Sequence, residues 1–202
     1  MKPKINGDDF YKVIEEAIAE NDHVEYLQAV LKKYENYKQT FEQNFTDKNL
    51  IEAVYKFRAT YLLKKPLWRD IEILGKQTFC DLAKMIIKSM NWDNDHMHGF
   101  EFLEKSRQPD PFVTGSSPAF FAPGWEDDPH PFYKTNEIRI CDIDYTKRPK
   151  LEFTFDYGDG HLFSIDYKNN RSIGKNEKIN LFPRVIDQRS IAPEQYPEIE
   201  EE

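Results

Sequence analysis

The chain lacks several features that would assign it to a class at once. It has two cysteines and eight glycines in 202 residues. No apolar run approaches the roughly 20 residues that cross a bilayer, so we expect no membrane-spanning segment. The first residues lack the basic and apolar regions of a secretory signal. These absences predict a cytoplasmic protein that keeps Cys80 and Cys141 as reduced thiols.

The motifs of the common enzyme classes are also missing. The sequence has no Gly-x-Ser-x-Gly elbow, no phosphate-binding glycine loop, no Cys-x-x-Cys pair and no His-Glu-x-x-His helix. Their absence favours a binding protein over an enzyme, and leaves catalysis as the alternative.

The charge balance argues against one class of partner. A net charge of −8 opposes non-specific nucleic-acid binding, because phosphates must be met by lysine and arginine. A local basic face nevertheless leaves direct DNA binding open as a third interpretation. The structural alternative is that these charged side chains prevent exposed sheet edges from pairing with other strands. The basic face comprises Lys147, Arg148, Lys150, Lys168, Arg171, Lys175 and Lys178.

What the chain does have is enough apolar surface for a core. Hydrophobic residues make up 39% and aromatic residues 14% of the sequence, against 32% charged residues. This composition and length predict one folded domain with an added element, and they exclude a wholly disordered chain.

Residues 1–46 follow a helical pattern and are predicted to form an N-terminal helical appendage. Apolar residues recur at spacings of three and four from Phe10, break at Asn21, and resume at Val24. Asp22 and Glu25 have capping-box spacing, which predicts the start of a second helix. The short connection predicts that the two helices are antiparallel.

From Ile51 the hydrophobic period changes to two, which indicates strands. Strands are expected over 51–61 and 67–73, then a helix capped by Thr78 and Asp81. A short extended stretch follows near Phe100.

The second half of the domain contains a long insertion and a β-meander. Residues 107–133 hold six of the twelve prolines, which predicts an irregular loop anchored by its aromatic residues. Residues 137–145 are predicted to be extended. Two further strands, over 151–157 and 161–167, are joined by Gly158-Asp159-Gly160, a strong hairpin signal. The tail from Pro193 reads as polar, acidic and loose.

The predicted fold is therefore α+β. Residues 50–195 form a mixed, mostly antiparallel sheet with one main packed helix, in the order β-β-α-β, insertion, β-meander. Residues 196–202 form an acidic tail.

Four motifs in this order resemble the plasmid pRiA4b ORF-3-like family. They are Pro66-Leu67-Trp68-Arg69, the stretch from Trp92-Asp93 to His96-Met97-His98-Gly99-Phe100, Phe155-Asp156-Tyr157-Gly158-Asp159, and the closing segment from Phe182-Pro183-Arg184 to Ala192-Pro193-Glu194. The resemblance covers about residues 50–195 and departs from the family's usual pattern at His161 and Phe163. It implies an association with mobile elements and no established activity.

Two of these motifs contain the candidate site. Residues 92–98 and 155–161 both place polar groups among aromatic ones, so we expect them to meet in space, with Asp93 or Asp159 accepting a hydrogen bond from a histidine. Asp156 is read as a strand residue and Asp159 as a turn residue. The candidate ligand-binding residues are Trp92, Asp93, His96, His98, Asp156 and Asp159.

Two functions remain open at this point. The first is a binding or interaction module for an unknown protein or small-molecule ligand, with no cofactor. The alternative is a metal-dependent hydrolase or nuclease, in which His96, His98 and Asp159 hold one divalent ion such as zinc. Histidines two residues apart on an extended segment share a face, which is the basis of the alternative.

Overall fold

The computed structural model of this chain describes residues 8–21, 23–48, 50–62, 66–102, 119–121 and 133–197, with the backbone alone described at 8, 9 and 119–121. The helices in these residues are α1 (Asp8–Ala19), α2 (Val24–Asn44) and α3 (Phe79–Ser89). The strands are β1 (Val54–Tyr61), β2 (Leu67–Leu74), β3 (His98–Phe102), β4 (Ala119–Phe121), β5 (Lys150–Phe155), β6 (His161–Arg171) and β7 (Arg184–Arg189).

The strands form a single seven-stranded sheet in the order β4-β3-β5-β6-β1-β2-β7. Each pair of neighbouring strands is antiparallel. The predicted α+β class with a mostly antiparallel sheet is therefore confirmed. No described helix is both long and apolar enough to cross a membrane.

Helix α3 covers one face of the sheet, and the sequence encodes where it starts. Thr78 Oγ1 accepts a hydrogen bond from the Asp81 N–H at 3.3 Å, and Asp81 Oδ2 accepts one from the Thr78 N–H at 2.8 Å. This is the predicted capping box, which satisfies two backbone donors that a helix start leaves open. The helix buries Phe79 against Phe100 of β3.

The opposite face of the sheet is polar and carries cross-strand ion pairs. Arg58 of β1 lies opposite Asp70 of β2 and donates to its carboxylate at 2.6 Å. The same guanidinium lies 3.8 Å from the centre of the Trp68 ring. These pairs let the buried Asp70 carboxylate remain charged.

The N-terminal helices pack on each other and then enter the main core. Tyr34 of α2 contacts the rings of Phe10 and Tyr11 of α1. The N-cap of α2 is His23, one residue later than the predicted Asp22. At its other end α2 buries Phe41 completely, 5.2 Å from the ring of Phe102 in β3. The division of the chain at residue 46 stays a prediction, but the last turn of α2 shares the core of the sheet.

The prediction of an extended segment over 137–145 is wrong. It contains a 3₁₀ helix at Ile140–Asp142 flanked by isolated bridges. The Asp142 carboxylate accepts from the Arg139 N–H at 2.8 Å, and the Tyr145 hydroxyl donates to the Ile140 carbonyl at 2.9 Å. Such local side-chain bonds to the backbone favour turns over strands, which alternation alone does not reveal.

Most of the predicted insertion at 107–133 lies outside the described residues. Within it, Ala119–Phe121 forms strand β4 on the edge of the sheet beside β3. The predicted anchoring by Phe112, Phe120, Phe121, Trp125 and Phe132 lies outside the side chains that the structure describes, and it remains a prediction. Tyr133, the last residue of the insertion, is buried with its ring 4.5 Å from Phe41.

We expect Phe41→Ala to lower the free energy of unfolding by about 3–5 kcal/mol, because it leaves a cavity where α2 meets the sheet. Chemical denaturation measures this change. Val13→Ala is the matched control: its side chain is 63% exposed on α1, so the change should stay within about 0.5 kcal/mol. Equal effects of the two substitutions would show that α2 is not part of the core.

Candidate functional site

The pairing of β3 with β5 brings the two candidate segments together. His98 lies opposite Phe155 in the register, and the Asp156 N–H donates to the Met97 carbonyl at 2.9 Å. Beyond this pair, the ring of Trp92 lies 4.4 Å from that of His161. The expectation that residues 92–98 and 155–161 meet in space is confirmed.

Trp92 and His161 lie beneath the surface of this junction, within a cluster of aromatic rings. Both are buried, and Trp92 also contacts the rings of Tyr61, Phe155 and Phe163. His161 Nδ1 lies 2.8 Å from the Tyr61 hydroxyl. Its Nε2 has no hydrogen-bond partner among the described residues. The Trp92 ring thus belongs to the core, while its indole N–H donates a hydrogen bond outside this cluster of rings, to the Pro193 carbonyl.

Asp156, and not Asp159, organises the hairpin turn. Strand β5 ends at Phe155, and Asp156 has a φ of 53°, which a non-glycine residue adopts at a cost. Its carboxylate accepts the N–H groups of Gly158 and Asp159 at 2.9 and 3.3 Å. The sequence reading placed Asp156 on a strand and gave the turn role to Asp159. Alternation of apolar residues cannot show where a strand yields to an Asp-based turn.

Asp156 keeps its charge despite being buried. Burial raises its pKa, but the N–H groups of Asp159 and Gly158 stabilise the carboxylate, and so does neighbouring His96. The balance leaves the pKa of Asp156 below its ordinary value. A carboxylate at this junction is therefore ionised at neutral pH.

His96 is the histidine that meets carboxylates. Its Nε2 lies 3.5 Å from Asp156 Oδ2, and its Nδ1 lies 3.3 Å from Asp95 Oδ1. The prediction that Asp93 or Asp159 accepts a hydrogen bond from a histidine is thus wrong. Asp93 uses its backbone in this site, and Asp159 is an exposed turn residue.

His98 points into a different environment from His96. It is buried, and its Nε2 lies 3.1 Å from the Thr135 hydroxyl, beside the rings of Phe100 and Phe153. Burial, helped by the charge of Lys84, lowers the pKa of His98 to about 4. The same-face argument fails because β3 begins at His98, so His96 precedes the strand.

The proposed metal set of His96, His98 and Asp159 is not assembled. Among the described residues no three His, Cys, Asp or Glu side chains come together in a way that could hold a metal ion. Two of the three predicted ligands also lie in different surroundings, one buried and one on the exposed turn.

The C-terminal segment completes the site, which the sequence reading missed. The tail was expected to be loose from Pro193, yet the Trp92 indole N–H donates to the Pro193 carbonyl at 2.9 Å. The Tyr196 hydroxyl lies 3.3 Å from Asp95 Oδ1, His96 Nδ1 and Asp156 Oδ2. The sole sequence signal for this docking was that the family resemblance ran on to this part of the chain.

A cleft of about 590 Å³ lies between this segment and the end of α3. Its walls include Trp92 and Asp93 from one side and Pro193 and Tyr196 from the other. Arg69, from the Pro66-Leu67-Trp68-Arg69 motif, also lines it. The cleft is large enough for a small organic ligand.

The sequence model of a family described as plasmid pRiA4b ORF-3-like protein matches residues 54–199. The match spans well over half of the chain and includes all four motifs that carried the resemblance. The chain belongs to the plasmid pRiA4b ORF-3-like family. Helices α1 and α2 of this ORF-3-like protein lie outside the matched region.

Comparisons with individual proteins extend this result to the fold. No curated protein sequence matches the chain significantly. The crystal structure of a protein of unknown function, MM3350 from Methanosarcina mazei Go1, is similar with a TM-score of 0.57 and 22% identity. The similarity covers 71% of this chain and 73% of that one. At this identity it shows that the ORF-3-like protein shares a fold with MM3350.

The basic residues considered for DNA binding are largely matched by nearby carboxylates. Lys150 and Lys168 lie 3.5 and 3.7 Å from Asp166, and Lys147 lies 3.7 Å from Asp144. Arg171 meets Glu72 at 2.9 Å. Such pairing weakens the attraction that these four residues exert on phosphates.

We expect acid to destabilise the protein through His98. Its folded-state pKa lies near 4 against an ordinary 6.5, so the unfolded chain takes up this proton first as the pH falls. Stability is then lost between pH 6.5 and 4, by about 3 kcal/mol at about 1.4 kcal/mol per unit. Denaturation across this pH range should give a smaller loss for His98→Gln. In the control Thr135→Val, which keeps the imidazole, the pH dependence should remain, and an unchanged loss in His98→Gln would contradict the account.

The turn role of Asp156 gives a second expectation. Asp156→Ala should lower the free energy of unfolding by about 1–3 kcal/mol, because alanine loses the turn hydrogen bonds and tolerates a positive φ poorly. Asp156→Asn should stay close to wild type, since asparagine accepts the same bonds and adopts this φ. Thermal or chemical unfolding measures both. Asp159→Ala is the control and should be nearly neutral; a larger loss there than at Asp156 would return the turn role to Asp159.

Proposed function

We propose that this ORF-3-like protein is an intracellular binding module that holds an extended protein segment along residues 92–96. Its own residues 193–196 lie there in the free chain. The observation that most supports this is a pair of hydrogen bonds between the Gln195 carboxamide and one backbone unit. The Asp93 N–H donates to Gln195 Oε1 at 2.7 Å, and Gln195 Nε2 donates to the Asp93 carbonyl at 3.1 Å.

This pair of bonds is a general way to recognise a carboxamide. Asp93 presents both of its backbone groups to one side chain, as a strand edge presents them to an added strand. The Trp92 indole N–H fixes the backbone of the bound segment through the Pro193 carbonyl. A segment is thereby held by groups that do not depend on most of its sequence.

The second point of recognition is the position that Tyr196 occupies. Its hydroxyl can donate to one carboxylate at a time, either Asp95 or Asp156, while accepting from His96 or Gln195. Asp95 and Asp156 make this position acidic, so it favours a hydroxyl or another donor and repels an acidic side chain. The preferred segment therefore carries a carboxamide followed by a hydrogen-bond donor.

The geometry gives no comparable support to the metal-dependent hydrolase or nuclease. That alternative requires His96, His98 and Asp159 around one ion, and His98 is committed to Thr135 in the core. Association with mobile elements, which the family resemblance implies, belongs with the binding proposal. A partner encoded on the same element would supply the segment.

A labelled peptide that copies residues 190–197 tests the proposal. It should bind the full-length double variant Gln195→Ala, Tyr196→Phe at least about tenfold more tightly than wild type. In wild type the tethered tail competes at an effective concentration on the order of millimolar. Fluorescence anisotropy measures both affinities.

Two controls make this result specific. Ile191→Ala changes a side chain that is 95% exposed, so that variant should bind the peptide as weakly as wild type. A peptide with alanine in place of both Gln195 and Tyr196 should not bind the double variant. Equal binding of the two peptides, or equal affinity in wild type and the double variant, would contradict a segment-binding site.

A further inference from the structure

Arg69 is a buried cation whose bonds are all to neutral groups. Its side chain belongs to a residue that is 3% exposed. Nε donates to the Ser89 carbonyl at 3.2 Å, and Nη1 donates to the carbonyls of Trp68, Arg189 and Ser190 at 2.9, 3.0 and 3.2 Å. Among the described residues Arg69 has no carboxylate partner, and its Nη2 makes no hydrogen bond.

Other buried or half-buried arginines of the same sheet have carboxylate partners. Arg58 pairs with Asp70 at 2.6 Å, and Arg184 pairs with Glu72 at 2.6 Å. A guanidinium taken out of water without a counter-charge is costly, which is why such groups are normally paired. Burial accordingly lowers the pKa of Arg69. The lack of a carboxylate partner among the described residues thus distinguishes Arg69 from Arg58 and Arg184.

The structural bonds of Arg69 account for part of its role. By binding the Ser89 carbonyl it caps the C-terminal end of α3, whose dipole supplies roughly half a negative charge. Its bonds to Arg189 and Ser190 fix the chain where β7 ends. These roles use neutral acceptors and leave the two Nη2 hydrogens without a hydrogen-bond partner among the described residues.

Arg69 also lines the 590 Å³ cleft, where it is the sole lysine or arginine among the lining residues. The rest of the lining mixes polar side chains with a few apolar ones, among them Ile191 and Ala192. Asn91, also in the lining, offers a carboxamide with no hydrogen bond to the described residues. One cation and one amide beside a few apolar side chains are groups that hold the carboxylate of a small acid.

We propose that this cleft binds a small organic monocarboxylate, with Arg69 Nη2 and the Asn91 carboxamide holding its carboxylate. A monocarboxylate fits better than a phosphate because Asp93 and Glu194 also line the cleft, and their repulsion grows with the negative charge of the ligand. This site goes beyond the segment-binding function. Because Pro193, Glu194, Gln195 and Tyr196 belong to its lining, it requires the chain's own tail in place, and it is tested on the full-length protein without added peptide.

Side-chain NMR of the full-length protein tests the site without altering Arg69. In ¹⁵N-arginine-labelled protein, the Nε–Hε signal of Arg69 should shift saturably as sodium benzoate is added at constant ionic strength. Benzamide, the neutral isostere, should need at least about a tenfold higher concentration for the same shift, because it lacks the charge that strengthens the guanidinium bond. Inorganic phosphate should also bind more weakly than benzoate. The signal of Arg58, which already has a carboxylate partner, should not move.

A variant at the rim gives an independent check. Glu194→Gln removes a negative charge from an exposed residue and should tighten benzoate binding by about twofold or more, through reduced repulsion. Arg69→Lys assigns the signal and, if it folds, should weaken benzoate binding. A linear shift without saturation, an equal response to benzamide, or an equal shift of Arg58 would overturn the proposal. Tighter binding of phosphate than of benzoate would overturn the assignment to carboxylates.

Discussion

The antiparallel pairing of β3 with β5 is the constraint on which the rest of the site depends. With His98 opposite Phe155, the Met97 carbonyl receives the Asp156 N–H, and the chain before β3 must run beside the hairpin turn. A slip of one residue would turn the buried His98 outward and expose Phe100 and Phe102. The register therefore fixes both the cluster of buried rings around Trp92 and the position of His96 beside the Asp156 carboxylate.

The site that results is polar at its surface and aromatic beneath. Asp156 holds the turn with the same carboxylate that faces His96 and Tyr196, so the structure of the hairpin and the charge of the site are linked through one residue. Trp92 likewise has two functions, because its ring fills the core while its N–H reaches the Pro193 carbonyl. Such shared residues let a small domain hold polar side chains at its surface on a rigid support.

Local sequence signals predicted the parts of this fold that depend on local physics. Alternation identified β1, β2, β5 and β6, Thr78 with Asp81 identified the start of α3, and the glycines at 158 and 160 identified the hairpin. The contacts of the site were harder to predict because they are long-range. Gln195 and Asp93 are 102 positions apart in the sequence, and no local pattern around Gln195 predicts a hydrogen bond with Asp93. Asp159 lies in the turn as predicted, but the strand assignment of Asp156 is wrong, because β5 ends at Phe155 and the Asp156 carboxylate accepts the turn N–H groups.

We propose that residues 92–96 form a recognition edge which the chain's own tail occupies. Isotope-filtered NMR on a complex of the labelled double variant with an unlabelled 190–197 peptide tests it most directly. The account predicts nuclear Overhauser contacts from the peptide to the Trp92 indole N–H and to the Asp93 amide, the groups that bind Pro193 and Gln195 in the free chain. Contacts confined to residues elsewhere on the sheet, with the Trp92 and Asp93 signals unmoved, would contradict it.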